Sequence, residues 1–61
     1  MTIRVIDNNT KKIIREERTN DMTFGKVVLV DKFRRIYSNV TIEEYYGMPN
    51  GKPVTTIQSF H

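Results

Sequence analysis

Val27-Val28-Leu29-Val30 is apolar at every position and lies in a chain of only 61 residues. Read as a strand, such a run needs cover on both faces. A chain of this size buries only about 60% of the surface its unfolded form exposes, so little material is left to cover two faces. The solutions are closure into a small barrel, an orthogonal sandwich, or a second protein chain. Lys26 and Asp31 bracket the run, as charges do where edge pairing must be discouraged. Val27, Val28, Leu29 and Val30 are therefore the expected oligomer interface, and a homodimer is the expected assembly. No staple supports the small core. Cysteine is absent, and the one histidine, His61, is the last residue, without a cluster that could hold structural zinc.

Residue types point to sheet. Ile, Val and Thr fill 20 of the 61 positions, Leu occurs once and Ala never. A branched Cβ suits a pleated strand better than a helix. The pattern predicts a single domain over 1–61, all-β, with five short antiparallel strands in a meander or an SH3-like small barrel. TIRVI (2–6) and KIIREE (12–17) flank Asp7-Asn8-Asn9-Thr10 as a hairpin, with Ile3 facing Ile14 or Val5 facing Ile13 according to loop length. A helix over Thr10–Arg18 is disfavoured, because Lys11 and Lys12 would sit at its positive end and Glu16 and Glu17 near its negative end. Residues 19–23 read as a loop.

In residues 34–46, alternation puts Ile36, Val40, Ile42 and Tyr46 on one parity and Arg35, Tyr37, Asn39, Thr41, Glu43 and Tyr45 on the other. So long a run calls for a bend at Ser38-Asn39, since strands rarely exceed about 10 residues. Thr41-Ile42-Glu43-Glu44 also matches a capping box, and Gly47 and Pro49 can stop a helix, so the alternative is α+β with one short helix near 41–47. Asn50-Gly51 is the favoured pair for a type I′ turn, with PVTTIQSF as the returning strand. The flanking Pro49 and Pro53 delay pairing until near Tyr46 and Thr55.

Catalysis finds no foothold in these residue types. There is no cysteine nucleophile, the single histidine is terminal, and neighbouring Glu43 and Glu44 would point to opposite faces of a strand. Metal ligands do not cluster, and Gly25, Gly47 and Gly51 stand apart rather than forming a phosphate-binding loop. The expectation is a non-enzymatic protein with no cofactor, no metal and no small-molecule substrate. No run of residues approaches the roughly 20 apolar positions of a membrane span, and no signal-peptide core is present, so neither a membrane nor export is expected and the location expected is cytoplasmic.

The expected function is protein binding, as an adaptor or stoichiometric inhibitor, through Arg35, Tyr37, Asn39 and Tyr45. Tyrosine and arginine are enriched at interface hot spots. The alternative is nucleic-acid binding through Lys32, Phe33, Arg34, Arg35 and Tyr37, with cations on phosphate and rings on bases. The formal charge of +3 is modest for that role, and it is concentrated in residues 1–35, which hold nine Lys/Arg against five acids. Richness in Ile, Lys and Asn without Ala suits an A+T-rich gene, so a low-GC bacterium or its phages are the expected origin.

Overall fold

A computed structural model describes residues 1–60. The chain forms β1 (Thr2–Asp7), β2 (Ile13–Arg18), α1 (Phe24–Ile36), β3 (Val40–Tyr45) and β4 (Thr55–Ser59). The strands make one sheet in the order β2-β1-β3-β4, and every neighbouring pair is antiparallel. The protein is a β-rich domain of four strands and one helix, neither a five-stranded meander nor a barrel. The α+β alternative holds in class but not in place, because residues 40–45 are strand and the helix lies upstream.

Val27-Val28-Leu29-Val30 is the main correction: it is helical. Lys26, Leu29, Val30, Phe33 and Tyr37 recur at three- and four-residue spacing and turn toward the sheet, with Val30 and Phe33 buried and the others partly so. Only half of the apolar run is inward. Val27 and Val28 remain 58% and 49% exposed, so the requirement for cover on two strand faces does not arise. Tertiary burial of the stripe overrides the β preference of four consecutive apolar residues, three of them valine.

The helix has an N-terminal anchor that is not its first residue. Thr23 occupies the cap position without a side-chain cap bond. The Asp21 carboxylate instead accepts from the Thr23 backbone N–H at 3.0 Å and its hydroxyl at 2.8 Å. These bonds, with others from the Gly25 and Phe24 N–H groups, hold Asp21 below the usual carboxylate range. Gly25 permits the approach, because a Cβ there would lie 2.8 Å from the Asp21 Cβ and 2.9 Å from the Thr19 hydroxyl.

One face of the sheet meets α1. Register places Ile3, Val5, Val40, Ile42 and Ile57 on it, and Ile3, Val5, Val40 and Ile42 form the buried core with Val30 and Phe33. The β1–β2 hairpin takes neither expected register. Ile3 pairs with Glu17 and Val5 with Arg15, then a bulge shifts Ile6 onto Ile13. The cause is a longer turn: Lys11 takes a positive φ of 63°, its N–H bonds the Asp7 carbonyl at 2.8 Å, and the Asp7 N–H bonds the Lys12 carbonyl at 2.9 Å. Asn50 does not share the positive φ of Gly51, so residues 46–54 form a broad loop rather than a type I′ turn. The pairing of β3 with β4 ends at Glu44 and Thr55.

Two outcomes test this account. Phe33→Ala deletes the largest fully buried side chain, a cost of about 3–5 kcal/mol where a core this small supplies little more. The cooperative thermal transition is expected to vanish in circular dichroism, and a melt within a few degrees of wild type would refute the packing. Because the carboxyl of Asp21 is depressed on folding, its contribution is complete above the unfolded value near 3.8 and is lost as pH falls through the folded one. Asp21→Asn is therefore expected to lower the Tm at neutral pH, with the gap to wild type closing in acid; a gap independent of pH would refute the role.

Candidate functional site

A sheet of four strands spaced about 4.8 Å apart is roughly 19 Å wide, and a helix with its side chains is about 10 Å across. One helix is therefore too narrow to cover the two outer strands fully. Here α1 packs chiefly on β1 and is drawn toward β2 by Arg15, whose guanidinium lies 5.4 Å from the Phe33 ring centre and donates to the Tyr37 hydroxyl at 3.4 Å. Glu17 holds Arg15 in turn at 2.7 Å, and these bonds raise the Arg15 pKa above its ordinary value. The central strands are closed beneath α1, with Ile3, Val5, Val40 and Ile42 buried, while β4 is left open at the margin, with Thr55 exposed and Ile57 partly so.

The opening is a groove of about 360 Å³ between α1 and β4, walled by Val27, Val30, Asp31 and Arg34 and by Glu44, Thr55 and Ile57, with Lys26 across it. At the helix N-terminus it runs into an apolar recess formed with Met22 and Phe24, the latter 74% exposed. Toward the helix C-terminus it meets a polar recess formed by Asp31, Arg34 and Arg35 with Gln58, Ser59 and Phe60. Shared residues make the three recesses one channel along α1.

Charge in the channel is partly compensated. Lys26 Nζ lies 3.3 Å from the Glu44 carboxylate, which is only 3% exposed, and Arg35 pairs with Asp31 at 2.8 Å, one turn apart and in solvent. Among the described residues, Lys32 and Arg34 have no ion pair. The two outer strands of the sheet also differ. β2 carries Arg15, Glu16, Glu17 and Arg18 and a bulge, whereas β4 has no charged residue, so the channel borders the unguarded edge.

Arg35, Tyr37, Asn39 and Tyr45 do not share a face. Arg35 projects from α1 into solvent, and Tyr37 closes the helix C-terminus, half-buried with its ring 6.1 Å from that of Phe33. Asn39 holds a turn at φ 55°, its amide donating to Asn9 at 3.0 Å and its carbonyl accepting from the Asn8 N–H at 3.1 Å. Tyr45 is buried on the opposite side of the sheet, with Arg4 5.5 Å from its ring centre. Its hydroxyl donates to Glu43 at 2.6 Å, and that bond, with burial, raises the phenol pKa. Strand parity unites these four only if residues 34–39 are extended, whereas residues 34–36 end α1.

Of the residues read as a nucleic-acid face, Lys32, Arg34 and Arg35 are exposed on α1, but Phe33 is fully buried and unable to stack on a base. Of the expected oligomer interface, only Val27 and Val28 are exposed, and Val27 lines the channel. Sequence reading missed Ile57, Thr55, Glu44 and Lys26 as site residues; the stripe running from Lys26 to Tyr37 was the available signal. The three-way group of His, Cys, Asp or Glu needed to hold a metal does not occur among the described residues, and no helix there is long and apolar enough to cross a membrane. No protein-family model matches the chain, and searches of curated proteins and of solved structures return no significant match.

The Lys26–Glu44 pair joins helix to sheet within the channel lining. Lys26→Met leaves a buried carboxylate alone and is expected to cost about 2–3 kcal/mol, less than a fully buried pair because Lys26 is partly exposed. Adding Glu44→Gln should restore most of that loss in chemical denaturation, and a double variant no more stable than Lys26→Met would show that the pair does not act as a unit.

Proposed function

We propose that this chain is a non-catalytic protein-binding module, of the adaptor or inhibitor kind, and that it engages its partner through the channel between α1 and β4. The observation that carries the reading is the groove at the margin of the sheet, where Thr55 and Ile57 of β4 are incompletely covered. Val27 stands open on one wall, Ile57 is partly open on the other, and Phe24 and Met22 extend the apolar surface beyond the helix start. Apolar surface of this kind, rimmed by charged groups, is characteristic of interaction sites. Arg34 and Arg35 supply the residue type most enriched at hot spots, at one end of the channel. Nucleic-acid binding through Lys32, Arg34 and Arg35 has less support, since Phe33, the ring expected to stack beside them, is fully buried.

The test is site-specific photo-crosslinking in the cells that make the protein. A benzophenone amino acid at Thr55, on the channel, is expected to give an adduct with a discrete protein that survives nuclease treatment. The same group at Lys11, in the distant β1–β2 turn, should give none. Equal labelling at both positions, no adduct at Thr55, or an adduct removed by nuclease would overturn the proposal.

A further inference from the structure

We propose that two copies of this chain associate through β4, pairing antiparallel across a twofold axis at Ile57 to make one continuous sheet. The inference goes beyond the channel reading and does not rest on it. β4 is an outer strand, so one side of its backbone is unpaired. The register says which groups those are. The Asn8 N–H bonds the Asn39 carbonyl, one step past the Asp7–Val40 pair. Antiparallel bonds alternate sides along a strand, so Thr41 and Glu43 bond toward β1, while Val40, Ile42 and Glu44 bond toward β4. The Val54 N–H accordingly meets the Glu44 carbonyl at 2.7 Å. Ser59, Ile57 and Thr55 are the partners of those three. The backbone N–H and C=O groups of Thr56 and Gln58 therefore point outward, and no other bond takes them up among the described residues.

Any extended segment could meet those backbone groups; the side chains select a second copy. Val54-Thr55-Thr56-Ile57-Gln58-Ser59-Phe60 has the same order of residue kinds from either end: apolar, hydroxyl, polar, apolar. Turned about Ile57, it sets Thr56 opposite Gln58, Thr55 opposite Ser59 and Val54 opposite Phe60. Thr56 and Gln58 then exchange backbone bonds with their counterparts. The two Ile57 side chains meet at a non-hydrogen-bonded position, where opposed side chains come closest. A register centred on Thr56 or Gln58 would instead oppose Ile57 to Thr55 or Ser59. The Ile57 register also covers apolar surface that one copy leaves bare, since Val54 is 49% and Phe60 67% exposed and Ile57 is partly so.

No charge opposes this pairing. Residues 53–60 carry none, whereas β2, the other outer strand, carries Arg15, Glu16, Glu17 and Arg18. Each α1 holds a formal +3 but packs chiefly on β1. Five strand spacings then hold the two helices about 24 Å apart, beyond the screening length of about 10 Å in 0.1 M salt. So short an edge makes a small interface, of the class that associates weakly.

The test uses the full-length chain, which has no cysteine of its own. Sedimentation equilibrium between about 10 µM and 1 mM is expected to show monomer and dimer, with a Kd on the order of 100 µM. Thr56→Pro removes an outward N–H that β3 does not use, and should weaken the dimer about tenfold or more. Thr56→Lys, exposed and opposite Glu43, should act in the same direction and decides the matter if the proline variant does not fold. A wild-type-like amide spectrum of the dilute monomer checks each fold. Single cysteines read the register: under mild oxidation Ile57→Cys should form the linked dimer about tenfold faster than Thr56→Cys or Gln58→Cys, since only residue 57 meets its own counterpart within disulfide reach.

The proposal is overturned by a chain that stays monomeric throughout, by a dimer that the folded Thr56 variants leave intact, or by fastest linkage at Thr56 or Gln58. The channel reading fails or stands separately. A Thr55 photo-adduct of two copies counts for the dimer, and one with a different protein counts for the channel.

Discussion

The burial of the Phe33 ring is the interaction on which the arrangement depends. It is the largest side chain fully removed from solvent, and it reaches the sheet only because α1 carries it on the same stripe as Leu29 and Val30. The Arg15 guanidinium lies over its ring and bonds Tyr37, which ties the helix to β2. Beneath α1 the central strands are closed, with Ile3, Val5, Val40 and Ile42 buried, while Ile57 on β4 lies at the margin and is only partly covered.

The remaining ties are polar and local. Asp21 and Gly25 anchor the start of α1, Lys26 and Glu44 bind its first turns to β3, and the Asn8, Asn9 and Asn39 amides lock the β1–β2 turn to the entry of β3. On the far side of the sheet, Arg4 bridges Glu16 at 2.9 Å and the Tyr45 ring, while the Thr2 hydroxyl donates to the Gly47 carbonyl at 2.5 Å. Those groups find partners within the chain. The channel brings exposed Val27 and partly exposed Ile57 together with Arg34, which makes no ion pair, and it carries the functional reading.

Much of the strand content was legible. The runs 2–6, 12–17 and 53–60 and the alternation of Val40 and Ile42 overlap the strands Thr2–Asp7, Ile13–Arg18, Thr55–Ser59 and Val40–Tyr45, because period-2 patterning on one face has few other uses. The site was not legible to the same degree. Four consecutive apolar residues carry no period of their own, and splitting Lys26 to Tyr37 between two supposed strands concealed a stripe that a longer window would have joined. Arg35, Tyr37, Asn39 and Tyr45 looked like a surface only under extended geometry; in a helix and a following turn the same spacing scatters them.

Sequence alone determined that this is one small β-rich domain without a covalent staple, since 61 residues without cysteine, dominated by branched side chains, admit little else. It also determined the +3 charge, though not that residues 24–36, which alone hold a formal +3, form a single helix. The tertiary structure decided the state of residues 27–30, the loop register at Asn8, and the exposure of β4. Each of these turns on which competing surface is buried when the chain closes on itself, and burial belongs to the packed pair of surfaces, while local propensity differs between helix and strand by only a fraction of a kcal/mol per residue.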